Sequence, residues 1–144
     1  MNKKEFKRAL DVVLSDYGFV TKNNILKAET DELIIVVSTQ KSNYDNSYYL
    51  NYGFMIKALS SDLTSPKDTQ CDVFGRLNLY ISGKFSTTVE IENISCEVFS
   101  ESLKVSLDER IKPVIEFGLT KYFDLFPTAI STVKLNAKKY LNIS

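Results

Sequence analysis

Across residues 33–37 every side chain is apolar and most are β-branched, whereas across residues 48–57 apolar and other side chains alternate. The unbroken run suits a strand buried on both faces in the middle of a sheet. The alternating run puts Tyr48, Leu50, Tyr52, Phe54 and Ile56 on one face of a partner strand and Tyr49, Asn51, Gly53, Met55 and Lys57 on the other. Between them, Lys41-Ser42-Asn43-Tyr44-Asp45-Asn46 is too long for a two-residue turn, so a central hairpin with a polar tip is expected.

The flanking segments read as cover for this hairpin. Phe6, Leu10, Val13, Leu14 and Tyr17 recur at helical spacing, with Asn2 placed as N-cap and Glu5 at the third helical position, the arrangement of a capping box. Gly18 supplies a left-handed stop, and Phe19 folds back on the last turn as in a Schellman ending. Short strands are predicted at residues 19–21 and 25–28, around Lys22-Asn23-Asn24, where adjacent asparagines tolerate the positive φ of a tight hairpin turn. Thr30-Asp31-Glu32 then turns into the central pair, giving an antiparallel meander.

Residues 58–72 are polar, contain Pro66 and read as a long loop that either carries a turn of helix or borders a site. Residues 73–81 resume as a strand with Leu77, Leu79 and Ile81 on one side, ended by Gly83. Thr87, Val89 and Ile91 then alternate with Thr88, Glu90 and Glu92 as a half-exposed edge strand. Beyond Cys96 the period becomes helical: Leu103, Leu107, Ile111, Val114 and Ile115 form a stripe, followed by the aromatic cluster of Phe117, Tyr122, Phe123 and Phe126. One long helix is expected, kinked or broken at Pro113, which removes a backbone hydrogen bond and clashes with the Glu109 carbonyl. A last helix is predicted with Thr128 as N-cap and Ile130, Val133, Ala137, Tyr140 and Leu141 inward. The fold class is therefore α+β: an N-terminal helix, an antiparallel sheet of about four to six strands, and C-terminal helices packed on one sheet face. It is read as one domain over residues 1–144.

Composition narrows the chemistry. A chain of 144 residues that is 44% hydrophobic and 25% charged buries one core without needing staples. Lys and Arg total 18 against 18 Asp and Glu, so no bulk positive field favours nucleic acid or an anionic membrane as partner. No run is apolar and long enough to span a bilayer, and the first residues lack a secretory-type apolar run, so the expected compartment is the cytosol. The excess of Lys over Arg and the frequent Asn suggest a bacterial source with an AT-rich genome. Cys71 and Cys96 give no disulfide framework and are read as small buried hydrophobes. Histidine is absent altogether, which removes Ser-His-Asp triads, Cys-His dyads and His-containing metal sites. Two cysteines alone do not close a four-ligand zinc site, so neither a metal nor a cofactor is expected. The balance leans away from an enzyme.

The densest recognition chemistry lies between Gln40 and Tyr52, where tyrosines interleaved with Asn43, Asn46 and Asn51 combine large contact area with adaptable hydrogen bonding, and Gln40, Lys41, Ser42, Asn43, Tyr44 and Tyr49 are its candidate binding residues. For Tyr48 and Tyr52 the simpler reading is cross-strand packing in the core. Arg76, one of three arginines, follows a glycine and precedes a strand. It suits a bidentate clamp for a carboxylate or phosphate near Lys41, or else an Arg packed over the sheet edge and paired with Asp72 or Glu90.

The run Q-K-S-N-Y followed by N-S-Y-Y-L-N, with Tyr17-Gly18-Phe19 before it and Cys71 and Gly75-Arg76-Leu77 after it, resembles the bacterial family called domain of unknown function 4304. The resemblance spans nearly the whole chain. It implies a small α+β protein, brings no established activity or catalytic residues, and marks Gln40, Lys41, Ser42, Tyr49, Cys71, Gly75 and Arg76. Asp72-Val73 stands after the cysteine where the family pattern suggests a histidine and an apolar residue, which argues against a shared histidine-based site. The leading expectation is a cytosolic, non-catalytic protein-binding module acting through the polar tip and exposed face of the central hairpin, with neutralisation of another protein, as immunity proteins do, as one version. The alternative is a small-ligand or anion-binding protein, or a histidine-independent enzyme, with a pocket between the sheet and the 60–72 loop, held by Lys41 and Arg76. The chain is expected to be a monomer, or a homodimer through its aromatic C-terminal helices.

Overall fold

Asn2 opens the first helix, α1 (Lys3–Ser15), with its side chain accepting from the Glu5 N–H while the Glu5 carboxylate accepts from the Asn2 N–H. The helix stops at Gly18, φ 89°, and the Phe19 N–H returns to the Leu14 carbonyl at 3.1 Å. Capping box and Schellman ending are both as predicted. The structure, a computed structural model, describes residues 1–60 and 62–143. Ser61, inside the predicted loop, and Ser144 lie outside the described residues.

Four strands follow as a meander: β1 (Val20–Lys22), β2 (Ile25–Glu29), β3 (Leu33–Lys41) and β4 (Ser47–Ile56), each antiparallel to the next. The β1–β2 turn is Asn23-Asn24, with φ 53° and 64°, the positive pair that a two-residue hairpin demands. The β3–β4 ladder runs in register from Leu33 opposite Ile56 to Lys41 opposite Tyr48. All five residues from Leu33 to Val37 are buried, as a central strand requires.

The next position in the sheet is filled in two halves. β5 (Val73–Arg76) pairs with residues 51–54 of β4, and the Leu77 N–H still donates to the Leu50 carbonyl. The chain then leaves the sheet for a separate hairpin, β6 (Leu79–Ile81) and β7 (Lys84–Ser86), turned by Ser82-Gly83 with φ 52° and 79°. It returns as β8 (Thr88–Glu90), which pairs with residues 47–49 of the same strand. The single strand predicted across residues 73–81 is therefore two strands broken at Leu77-Asn78. Leu77 and Leu79 are both in the core, so their alternation survives although the backbone changes sheets.

One sheet face carries Leu26, Ala28, Leu33, Ile35, Val37, Tyr48, Leu50, Tyr52, Phe54 and Ile56, which form one continuous core with the helices. These are α1, α2 (Cys96–Arg110), α3 (Lys112–Phe117), α4 (Leu119–Leu125) and α5 (Leu135–Leu141). The predicted break occurs at Ile111, with Pro113 in the first turn of α3, where a missing N–H costs least. A second break at Gly118, φ 87°, separates α3 from α4. Thr128 is not the cap of a last helix. Pro127–Thr132 forms a 3₁₀ turn, and α5 begins only at Leu135, with Ala137 buried and Tyr140 exposed. At the centre of the core the Tyr52 and Tyr122 hydroxyls meet at 2.6 Å. Gly75 makes room for this pair, since a Cβ there would stand 2.8 Å from the Tyr52 hydroxyl oxygen.

The opposite face is covered only in part. Ile34, Val36, Met55 and Cys71 form a second, small core with Ile25 and Leu63, beneath the segment that joins β4 to β5. That segment carries two 3₁₀ turns, Lys57–Leu59 and Asp68–Gln70, as the polar stretch allowed.

Candidate functional site

Beyond the edge of the small core, the uncovered face of the sheet carries four polar or aromatic side chains brought together by register. Gln40 stands opposite Tyr49 on the β3–β4 ladder, and Arg76 stands opposite Asn51 on the β4–β5 ladder. Since strand side chains alternate, all four project from the face away from the helices. The Asn51 side-chain amide donates to Gln40 Oε1 at 3.1 Å. Arg76 donates from Nε to Asn51 Oδ1 at 3.2 Å and from Nη2 to Gln40 Oε1 at 3.4 Å, and its guanidinium carbon lies 3.9 Å from the centre of the Tyr49 ring.

This geometry decides what Arg76 offers. Its Nε–Nη2 edge is held by two neutral carbonyl oxygens and its plane by an aromatic ring, so the side chain is fixed before any ligand arrives. The end-on edge, Nη1 with the second N–H of Nη2, makes no hydrogen bond among the described residues. No carboxylate of the described residues lies within ion-pair distance of it. Asp72 and Glu90, the acids expected as its partners, are engaged elsewhere. Buried Asp72 accepts from the Ile56 N–H at 2.8 Å, and Glu90 accepts from Asn93 at 2.8 Å. What remains is a positioned cation with a free bidentate fork, suited to a carboxylate.

Lys41, Ser42, Asn43 and Tyr44 sit apart from this cluster, at the hairpin tip. The Ser42 N–H donates to the Ser47 carbonyl at 2.8 Å and its hydroxyl accepts from the Tyr44 N–H at 3.2 Å, so Ser42 shapes the loop. Tyr44 is 96% exposed, and Asn46 is tied to Glu92 at 2.9 Å. Lys41, opposite Tyr48, leaves the sheet on the helix side. Lys41 and Arg76 therefore point from opposite faces, and the version in which both cations hold one anion is withdrawn. The interval between sheet and loop is occupied as well. A Cβ on Gly53 would stand 2.6 Å from Cys71 Sγ, and Cys71 is fully buried. Burial, reinforced by the Asp68 and Asp72 carboxylates, pushes the Cys71 thiol up to about 12, so it is protonated and unreactive at neutral pH. Cys96, read as buried, is only partly so.

Asn51, noted in the sequence only as one of the asparagines interleaved with tyrosines, is the member of the cluster left out of the candidate binding residues. An asparagine in the middle of a central strand runs against strand preference, and that local conflict was the available signal. Among the described residues no three His, Cys, Asp or Glu side chains gather to hold a metal ion, and no helix is long and apolar enough to cross a membrane.

Neither the curated proteins nor the solved structures contain a match to this chain. A family model does match, over residues 10–116, a span that runs from α1 into α3 and contains Gln40, Tyr49, Asn51 and Arg76 together with the whole hairpin tip. By that match the chain belongs to the family described as Domain of unknown function (DUF4304).

Proposed function

We propose that this protein is a non-catalytic binding module that takes an acidic protein partner on the uncovered face and polar tip of its central hairpin. The observation that carries the reading is Arg76, stacked on Tyr49, braced by Gln40 and Asn51, and left without a carboxylate among the described residues. An arginine fixed in advance loses little freedom on binding, which is the property of an interface anchor. Exposed Tyr44 at the tip adds aromatic contact area. Two free cysteines suit a reducing compartment, and the Lys- and Asn-rich composition suits a bacterial source, so the proposal includes the bacterial cytosol. Neutralisation of a partner in the manner of an immunity protein is its most specific version, supported by size and composition.

The test is affinity capture from lysate of the native cell with wild type, Arg76→Ala, and Lys41→Ala/Tyr44→Ala, after thermal melts show all three folded. A protein retained by wild type and lost by Arg76→Ala is expected. Identical retention by wild type and Arg76→Ala refutes the Arg76 anchor, and unchanged retention by the double variant removes the tip from the surface.

A further inference from the structure

The two edges of the six-stranded sheet are unequal in what they leave open. On β4, even-numbered residues direct their backbone groups towards β5 and β8, since Leu50 accepts from Leu77 and the Ile56 N–H reaches Asp72. By the alternation of an antiparallel ladder, Val73, Gly75 and Val89 face β4, and the N–H and C=O groups of Phe74, Arg76, Thr88 and Glu90 face outward. At Thr88 the outward groups are already satisfied, because the Ser86 hydroxyl accepts from the Thr88 N–H at 3.1 Å and donates to the Thr88 carbonyl at 2.9 Å. At Phe74 and Arg76 no such plug exists among the described residues, and both are exposed. The far edge, β1, is three residues long, and its hairpin register directs only Thr21 outward. The β5 edge is thus the longest open strand template in the sheet.

We infer that the partner adds a short extended segment to the outer edge of β5, with an Asp or Glu beside Arg76 and an apolar residue two positions away beside Phe74. This rests on the binding-module reading and specifies its mode. Two observations choose the occupant. The free fork of Arg76 calls for a carboxylate, and Phe74, 47% exposed on the same face, calls for an apolar side chain at the spacing of alternate strand residues. A second copy of this chain fits less well, since β5 against β5 brings two uncompensated guanidinium groups onto one face, and the acid adjoining β5, Asp72, is buried and already held by the Ile56 N–H.

The experiment is selection of a random dodecapeptide phage library on the immobilised full chain, with Arg76→Glu as counter-selection, followed by anisotropy titration of the enriched peptides. Peptides with an acidic residue two positions from an apolar one are expected. Their affinity should fall at least tenfold with Arg76→Ala, and at least tenfold when the alternate peptide amides that face β5 are N-methylated. N-methylation of the remaining amides should have little effect. Enriched peptides indifferent to N-methylation at every position overturn strand addition while leaving Arg76 as an anchor. No enrichment over the counter-selection, alongside a folded partner captured through Arg76, overturns strand addition alone. Failure of both selection and capture removes the binding-module reading with it.

Discussion

Replacing Gly53 by alanine tests how closely the β4–β5 connection is laid on the sheet. The backbone there is ordinary strand, so alanine brings no conformational strain and by itself stabilises by about 0.4–1 kcal/mol through the unfolded state. Its Cβ, however, would lie 2.6 Å from Cys71 Sγ, 2.8 Å from Cys71 Cβ and 3.1 Å from the Asp68 carbonyl oxygen. Forcing one carbon into such a contact costs roughly 1–3 kcal/mol. The net expectation is a loss of about 1–2 kcal/mol, or a fall of about 3–7 °C in Tm for a chain of this size. Urea unfolding followed by circular dichroism measures it as a lower midpoint at unchanged slope. Two of the three close atoms belong to Cys71, so in a Cys71→Gly background most of the Gly53→Ala penalty should vanish, leaving only the Asp68 contact. An equal penalty in both backgrounds, or none in wild type, would show that the connection does not rest on Gly53 through Cys71.

The core and the alkaline limb give two further tests. Tyr122→Phe strands the buried Tyr52 hydroxyl and should cost about 1–3 kcal/mol, while Tyr52→Phe/Tyr122→Phe, which strands nothing, should be more stable than the Tyr122→Phe single variant in urea titrations. The Cys71 thiol rises from 9.0 to about 12 on folding, so its proton is held more tightly in the native state. The stability that this represents is complete below pH about 9 and is lost as pH rises towards 12. Melts between pH about 8 and about 10.5 should show wild type losing its advantage over Cys71→Ser, and a constant difference across that range would contradict the assignment.

Much of the fold was legible because local rules and tertiary packing agree. Asn2 with Glu5, the positive-φ pair Asn23-Asn24 and the helix break before Pro113 each follow from chemistry within a few residues. The face assignment of β4 held from Tyr48 to Ile56 because burial enforces the pleat. The misses needed distant geometry. The alternation of Leu77, Leu79 and Ile81 is identical whether the strand continues or crosses to another sheet. Thr128 has a capping side chain, but Pro127 starts a 3₁₀ turn that uses up the residues a helix would have taken. At the site, Gln40, Tyr49 and Arg76 were singled out from the sequence, and the structure brings these three together around Asn51. That Arg76 answers to Asn51 and Gln40 and not to an acid depends on register, as does the separation of Lys41 onto the other face.

The divided fifth strand also says where this scaffold tolerates rewriting. Leu77 and Thr88 meet β4 at consecutive residues, Leu50 and Tyr49, so the ten residues between them start and finish about one strand step apart. Leu79 anchors the insertion in the core, and the Ser102 hydroxyl holds the Tyr80 carbonyl at 2.8 Å. Beyond that anchor the tip at Ser82-Gly83 is solvent-facing. Loops of other lengths, or a second folded unit, could be grafted there without shifting any register of the main sheet. In this architecture the hairpin is a cassette, hung from a sheet whose registers do not run through it.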